Sequence, residues 1–446
     1  MQERKFLFKS VTEKVEERHV YFQTGVKQRR KQFVNTIYIK RECLFLAKYL
    51  IIALLCLFYV SCAGTQKNAG TGQSGIRDAA ASSREYEEAG HTIAAVLSTG
   101  NAEAFISAIN KEALLDRVFT NMKKDGHTIK KVRADLRNGL DRAAMIMSSN
   151  LGNSKRLTFV RSHIVNHEHR ALIRVDMGES GLSYLDFILD KDEQGAVKIM
   201  DWHDFAQGQF YSDSLRQALI LILPHNEMLI RTILGMPAVD QETVEQFSEL
   251  ARLSRDRKYA QWLEKYRDLP DNLKYSRIVL VTRALIASAT ENGNEYRLAL
   301  QDVNRYLGED PSLSLMLIDH YLLERDYKAA HRALAKLDEY TGGDAAVDFL
   351  KANICLTEKN YSQSLRHAQM AVKKDSNFED AYLTLLVASL YSKQYEIAVQ
   401  TMDRLEYNFG YIFDPEDISG LDGYEEFSKS LVFAAWKAHR MSLPNR

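Results

Sequence analysis

The side chains best suited to chemistry gather in two short stretches. Asp201-Trp202-His203-Asp204 sets a histidine between carboxylates, and Asp201 and His203, two residues apart, share one side of an extended chain. A histidine beside a carboxylate can move protons near neutral pH, so this pair predicts an acid/base or small-ligand site at Asp201 and His203. His163, His167 and His169 form the second stretch. His167 and His169 lie two positions apart, as in some metal sites, yet Asn166–His169 falls where the chain must turn, and turns are polar by need. The sequence predicts no metal and no cofactor. Its four cysteines, Cys43, Cys56, Cys62 and Cys355, include no CxxC, which excludes a zinc ribbon or a dithiol redox motif. Cys355 lies in a helical pattern and reads as a small buried hydrophobe. GxSxG, HExxH and P-loop motifs are absent. Gly70-Thr-Gly72-Gln-Ser-Gly75 spells GxGxxG with no strand before it and reads as a chance match.

The chain has 446 residues with 59 basic and 59 acidic side chains, a balance that speaks against nucleic acid as a partner. A hydrophobic content of 46% supports packed domains. The charge is unevenly placed: residues 1–48 carry 12 Lys/Arg against 5 Asp/Glu, leaving 47 against 54 in the remainder. An uncharged run of 12 residues, Tyr49 to Val60, follows at once. It is short for a membrane span, which needs roughly 20 residues, and it fits the apolar stretch of a secretory signal. Ser61-Cys62-Ala63-Gly64 comes next and, together with that run, resembles a bacterial lipoprotein signal. The resemblance implies cleavage before Cys62, acylation of Cys62 and residence at the bacterial cell envelope, on the periplasmic or outer-membrane face. Ser61 conforms to the family pattern, whereas Tyr59 stands where leucine is usual. An uncleaved signal anchor is the other outcome open to the same segment. Residues 1–43 make a longer basic leader than a signal needs, so a start at Leu44 or Leu46 is expected, with the signal over 44–62. Residues 63–80 are rich in Gly, Ser, Thr and Asn and read as a flexible tether.

Residues 81–210 read as an α+β domain. Helical spacing runs through Tyr86, Ala89, Ile93 and Val96, then from an Asn101 cap through Phe105 to Val118, then from Val132 to Met147. The period then changes to two. Ala171, Ile173, Val175 and Met177 share one face of a strand, and Ser183, Leu185, Phe187 and Leu189 share one face of the next. With Leu157–Val165 and Val197–Trp202 these predict a four-stranded antiparallel meander. Helices followed by such a meander, with the Leu182–Leu189 strand and Ala196–Phe205, resemble the NTF2-like, cystatin-like group. The resemblance implies a curved sheet that wraps a helix and leaves a cone. In that group the cone catalyses, binds small ligands, or is idle in a dimer.

Residues 211–240 connect to a second domain over 241–446. Tyr327, Tyr361 and Tyr395 recur at one constant interval, and Tyr296 precedes them by a slightly shorter step. Each opens a similar word, closed three residues later by Ala299, Ala330, Ser364 or Ala398, and each follows a polar turn. This resembles the tetratricopeptide repeat (TPR), two antiparallel helices in about 34 residues, and implies an all-α superhelix. Carried onto this sequence, the family's groove positions are Asp319, Leu323, Asn353, Thr357, Val387 and Tyr391, a mixed apolar and amide surface suited to a peptide or a partner helix. Phe427, Leu431, Val432, Ala435 and Trp436 are expected to cap the array with one apolar stripe. The expected function is a non-catalytic protein-interaction scaffold held at the envelope. The alternative is an enzyme or ligand binder using Asp201 and His203 in the cone.

Overall fold

The computed structural model describes residues 79–442, apart from 121, 123–126, 179–180, 221–222, 224–225, 291, 309, 416–417 and 419–423. Upstream it describes only Arg4–Lys5, a two-residue strand parallel to Tyr411–Ile412. The signal segment, Cys62, the tether and the glycine motif at 70–75 lie outside the described residues. Among the described residues no helix is long and apolar enough to cross a membrane. Two compact units divide at Glu324 and Arg325.

The first unit opens with four helices: α1 (Ala79–Ser98), α2 (Ala102–Ala108), α3 (Lys111–Val118) and α4 (His127–Gly152). The sequence reads α2 and α3 as one helix. They separate because two asparagines each start a helix: Asn101 Oδ1 accepts from Ala104 N–H, and Asn110 Oδ1 from Ala113 N–H, both at 3.1 Å. At the break, Ile109 bridges to Ile199 and Asn110 N–H donates to the Ile199 carbonyl at 2.8 Å. The ends of α1 and α4 meet backbone to backbone, since a Cβ on Gly152 would lie 2.8 Å from Gly100 Cα.

A single antiparallel sheet follows in sequence order: β1 (Arg156–Val165), β2 (Glu168–Asp176), β3 (Leu182–Lys191), β4 (Val197–Asp204) and β5 (Gln209–Phe210). It has five strands where the sequence predicts four, because Asp204 turns the chain back through Gly208 for a final two-residue pairing. The β1–β2 turn is tighter than expected. Only Asn166 and His167 form it, both at positive φ (50° and 67°), the geometry of a two-residue hairpin. One face of the sheet carries Ala171, Ile173, Val175, Leu185, Phe187 and Leu189 into a core shared with α1–α4.

After the sheet come α5 (Tyr211–Leu219) and α6 (Glu227–Leu234), then a series of helix pairs. The first joins α7 (Gln241–Arg255) to α8 (Tyr259–Arg267); a short α9 (Asp271–Lys274) leads to the second, α10 (Arg277–Ala289) with α11 (Gly293–Leu307). Helix α12 (Ser314–Leu323) ends this unit. One hydrophobic core runs from Tyr86 to Ile286, across residue 240.

The second unit contains α13 (Tyr327–Thr341), α14 (Ala345–Thr357), α15 (Tyr361–Lys374), α16 (Glu379–Tyr391) and α17 (Tyr395–Phe409), each packed on the next. First helices end at Arg255, Ala289, Leu323, Thr357 and Tyr391; second helices begin at Tyr259, Gly293, Tyr327, Tyr361 and Tyr395. Both series advance by one constant interval, the interval that separates Tyr327, Tyr361 and Tyr395. Tyr296, read from the sequence as the partner of Tyr327, is offset by one helical turn, and Gly293 holds the equivalent place. Tyr296 is instead a buried residue of α11, 1% exposed.

The turns explain the period. Arg257, Arg325, Lys359 and Lys393 all adopt left-handed backbone, φ 55° to 60°. After α14 the Lys359 N–H donates to the Leu356 carbonyl (2.9 Å) and Asn360 N–H to the Cys355 carbonyl (2.8 Å). After α16, Lys393 and Gln394 repeat both bonds at 3.1 and 2.8 Å. This paired closure satisfies the last carbonyls of one helix. Asn292, Asp326 and Asn360 then cap the next.

Short α18 (Glu425–Ser428) and α19 (Leu431–Ser442) close the chain. The expected apolar stripe is re-phased. Ser430 Oγ accepts from Phe433 N–H at 3.1 Å and restarts the helix, so Phe433 and Trp436 join Phe427 in the core while Leu431 is 88% exposed.

Candidate functional site

The sequence-predicted pair lies at the end of β4, and a bulge decides which way it faces. Leu189 pairs with Ile199, but the next residue back, Ile188, pairs with Asp201, so Met200 is an extra residue in the strand. Strict alternation would put Asp201 and His203 on the same side as Ile199, toward the helices. The extra residue reverses the phase. Trp202 therefore joins Ile199 in the core, and Asp201 and His203 lie on the opposite face of the sheet. This corrects the expectation that they edge the cone.

On that opposite face both side chains are buried. Asp201 accepts from Ser212 N–H (3.1 Å), Ser212 Oγ (2.6 Å) and Trp202 N–H (2.9 Å). Its carboxylate thus ties the start of α5 to the sheet. Burial pushes Asp201 up to about 6 despite those three donors. His203 lies edge-on to Phe205 and Phe210, with ring centroids 5.2 and 5.0 Å away, and its buried Nδ1 has no partner among the described residues. Burial pushes the imidazole down to about 4, so it is neutral at pH 7. No hydrogen bond joins Asp201 to His203 among the described residues. Asp201 has a structural partner set, and His203 packs as an aromatic ring.

The remaining histidines also separate. His163 Nε2 meets Asp186 Oδ1 at 3.0 Å, and Arg170 reaches the other oxygen of Asp186 at 3.2 Å. His169 stacks on Tyr86 with centroids 3.9 Å apart, and His167 sits in the turn. These rings do not converge on one point. The Arg170 and Asp186 charges are buried and paired, which avoids the cost of leaving either alone.

Helix α4 and the inner face of the sheet enclose a space between them. A cavity of about 70 Å³ is lined by Ala143, Met147 and Leu151 of α4, by Val175, Met177 and Leu185, and by Trp202 and Tyr211, whose rings stack at 4.1 Å. Four polar residues interrupt this apolar wall: Asn150, Ser183, Asp204 and Gln207. Asp204 accepts from Ala206 N–H (2.8 Å) and Gln207 Nε2 (2.9 Å), and enclosure pushes its carboxyl up to about 6. Ser183 Oγ and Asn150 Nδ2 are buried without a partner among the described residues. The first is an acceptor and donor, the second a donor only. Unmet hydrogen-bonding capacity inside an apolar cavity is what a small polar-edged ligand or an ordered water satisfies. Sequence reasoning misses Ser183, Asn150 and Asp204, because only the bulge at Met200 turns the last of them inward.

The six groove positions fall in both units. In the first, Asp319 and Leu323 are exposed on α12, Leu323 at 50%, and Tyr296 Oη donates to Asp319 at 3.4 Å. In the second, Asn353 and Thr357 are half-buried on α14. Asn353 Oδ1 accepts from Thr384 Oγ1 of α16 at 3.1 Å, which links two successive first helices. Tyr391 is half-buried and stacks on Tyr361 at 4.8 Å. Val387 is buried, as is every residue of α16 from Ala381 to Ser389, so it is not a surface residue.

No family model, no curated protein and no solved structure matches this chain.

Proposed function

We propose that this protein is an envelope-anchored, non-catalytic scaffold that binds a protein partner along a tetratricopeptide-type helical array. One observation carries the reading: at five places along the chain one helix ends and the next begins, and these inter-helix turns recur at a single constant interval. Such arrays present their first helices as an extended surface, and a sequence free of catalytic motifs is consistent with docking rather than turnover. Residues 81–210 resemble an NTF2-like domain, and the signal-like segment ending at Cys62 would direct acylation of that cysteine and so hold the chain at a bacterial membrane. Leu323 is the exposed apolar residue among the groove positions, at 50%. Leu323→Glu should reduce co-purification of the partner at least about tenfold, with the thermal midpoint unchanged, because a surface change away from the core moves stability by about 0.5 kcal/mol or less. Undiminished capture would remove α12 from the binding surface.

A second reading is favoured by the unpartnered Ser183 and Asn150 atoms. The cone would hold a small, largely apolar molecule with one polar edge, without acid/base chemistry from Asp201 or His203. Native mass spectrometry of the chain taken from its own membranes should then show a small-molecule adduct. Ala143→Phe, which fills the cavity from α4, should abolish it; an adduct that survives this change lies elsewhere.

A further inference from the structure

One cluster outside both sites brings three different metal-ligating atoms together. His331 is on α13; Cys355 and Glu358 stand three residues apart at the end of α14, hence on one helix face. The His331 nitrogen, the Cys355 sulfur and a Glu358 oxygen all lie within 4.8 Å of one another. His331 Nε2 meets Glu358 Oε2 at 2.8 Å. The thiol is buried, whereas the imidazole and carboxylate are partly open to solvent, their side chains 36% and 28% exposed. An ion would enter past His331 and Glu358 and meet sulfur at the floor.

The repeat shows what this position holds otherwise. Arg297 and Glu324 stand one repeat before His331 and Glu358, and they form an ion pair at 3.2 Å. In that earlier unit Tyr321 occupies the place of Cys355. The register thus supports a plain Arg–Glu bridge between a second helix and the following first helix. Here the guanidinium, which cannot ligate a metal, is replaced by an imidazole, and a thiol is placed beneath it.

We propose that His331, Cys355 and Glu358 bind one zinc-class divalent cation, with water completing the coordination. Sulfur, nitrogen and oxygen donors in this combination suit zinc, and three protein ligands leave the fourth position open. Binding requires the thiolate. The incoming ion therefore displaces the thiol proton as the metal–sulfur bond forms. The ion would clasp α13 to α14 and stabilise that helix pair.

The test uses the full chain, purified in detergent, stripped with EDTA and titrated with Zn²⁺ and then Co²⁺. The expected result is one Zn²⁺ per chain with release of a proton, and a thiolate-to-cobalt charge-transfer band. Cys355→Ser should remove the band. His331→Arg recreates the pair seen at Arg297 and Glu324, so it should keep the thermal midpoint of the metal-free chain while weakening Zn²⁺ binding by about 100-fold or more. The other three cysteines are unchanged in both variants. A band that persists in Cys355→Ser, or Zn²⁺ affinity in His331→Arg within about twofold of the parent, would show adventitious binding elsewhere and overturn the proposal, as would absence of binding to the parent.

Discussion

His203 shows how burial converts a potential catalyst into a packing residue. Its ring is neutral, its Nδ1 is unpartnered among the described residues, and it lies between two phenylalanines. A group with a depressed folded pKa contributes stability above its unfolded value, and that stability is lost as the pH falls toward the folded value. For His203 the window runs from about 6.5 down to about 4, worth about 3 kcal/mol. Asp201 acts with the opposite sign. Its carboxyl is raised to about 6, so it disfavours the fold as the pH rises from about 3.8 to 6. The two slopes oppose each other where they overlap, so the parent's pH curve understates both. His203→Phe should therefore leave stability at pH 7 equal or higher and flatten the loss between pH 6.5 and 4, as measured by urea unfolding across that range. An unchanged acid limb would show that His203 titrates in the fold as it does in the unfolded chain.

At the scale of elements, strand alternation is legible in the sequence wherever it is uninterrupted. The Ala171–Val175 and Leu185–Leu189 faces are found in the core as read. One extra residue leaves no mark in an alternating pattern, and that is why Asp201 and His203 are assigned to the wrong face. The helical period is legible for a similar reason: Tyr327, Tyr361 and Tyr395 all open second helices. It fades at Gly293, which carries no side chain to mark the same place. The turn residues themselves are silent, since nothing about Arg257 or Lys359 announces a left-handed backbone. That conformation costs a non-glycine residue roughly 1 kcal/mol. Lys359→Gly and Lys393→Gly should each raise stability by about 0.5–1 kcal/mol in denaturant unfolding. A loss of that size instead would mean that the lysine side chains hold the turns. The zinc-class cluster is invisible to sequence reading, because His331 meets Cys355 only once the pairing of α13 with α14 is known.

For the whole molecule, the first unit supplies a cavity with unmet hydrogen-bonding groups, and the interval between its helix turns recurs along the sequence of the second. The acylated stem that would join both to a membrane rests on Tyr49 to Cys62, a pattern legible only in the sequence. The central claim is that first helices of the array face a protein partner. A photo-crosslinking residue placed at Leu323, 50% exposed at a groove position, and another at Tyr407, 85% exposed on a second helix, separate docking from mere accessibility. In intact native membranes the account predicts one discrete adduct of the same mass in repeated experiments from position 323 and none from 407. Equal labelling from both positions, or none from 323, would contradict it.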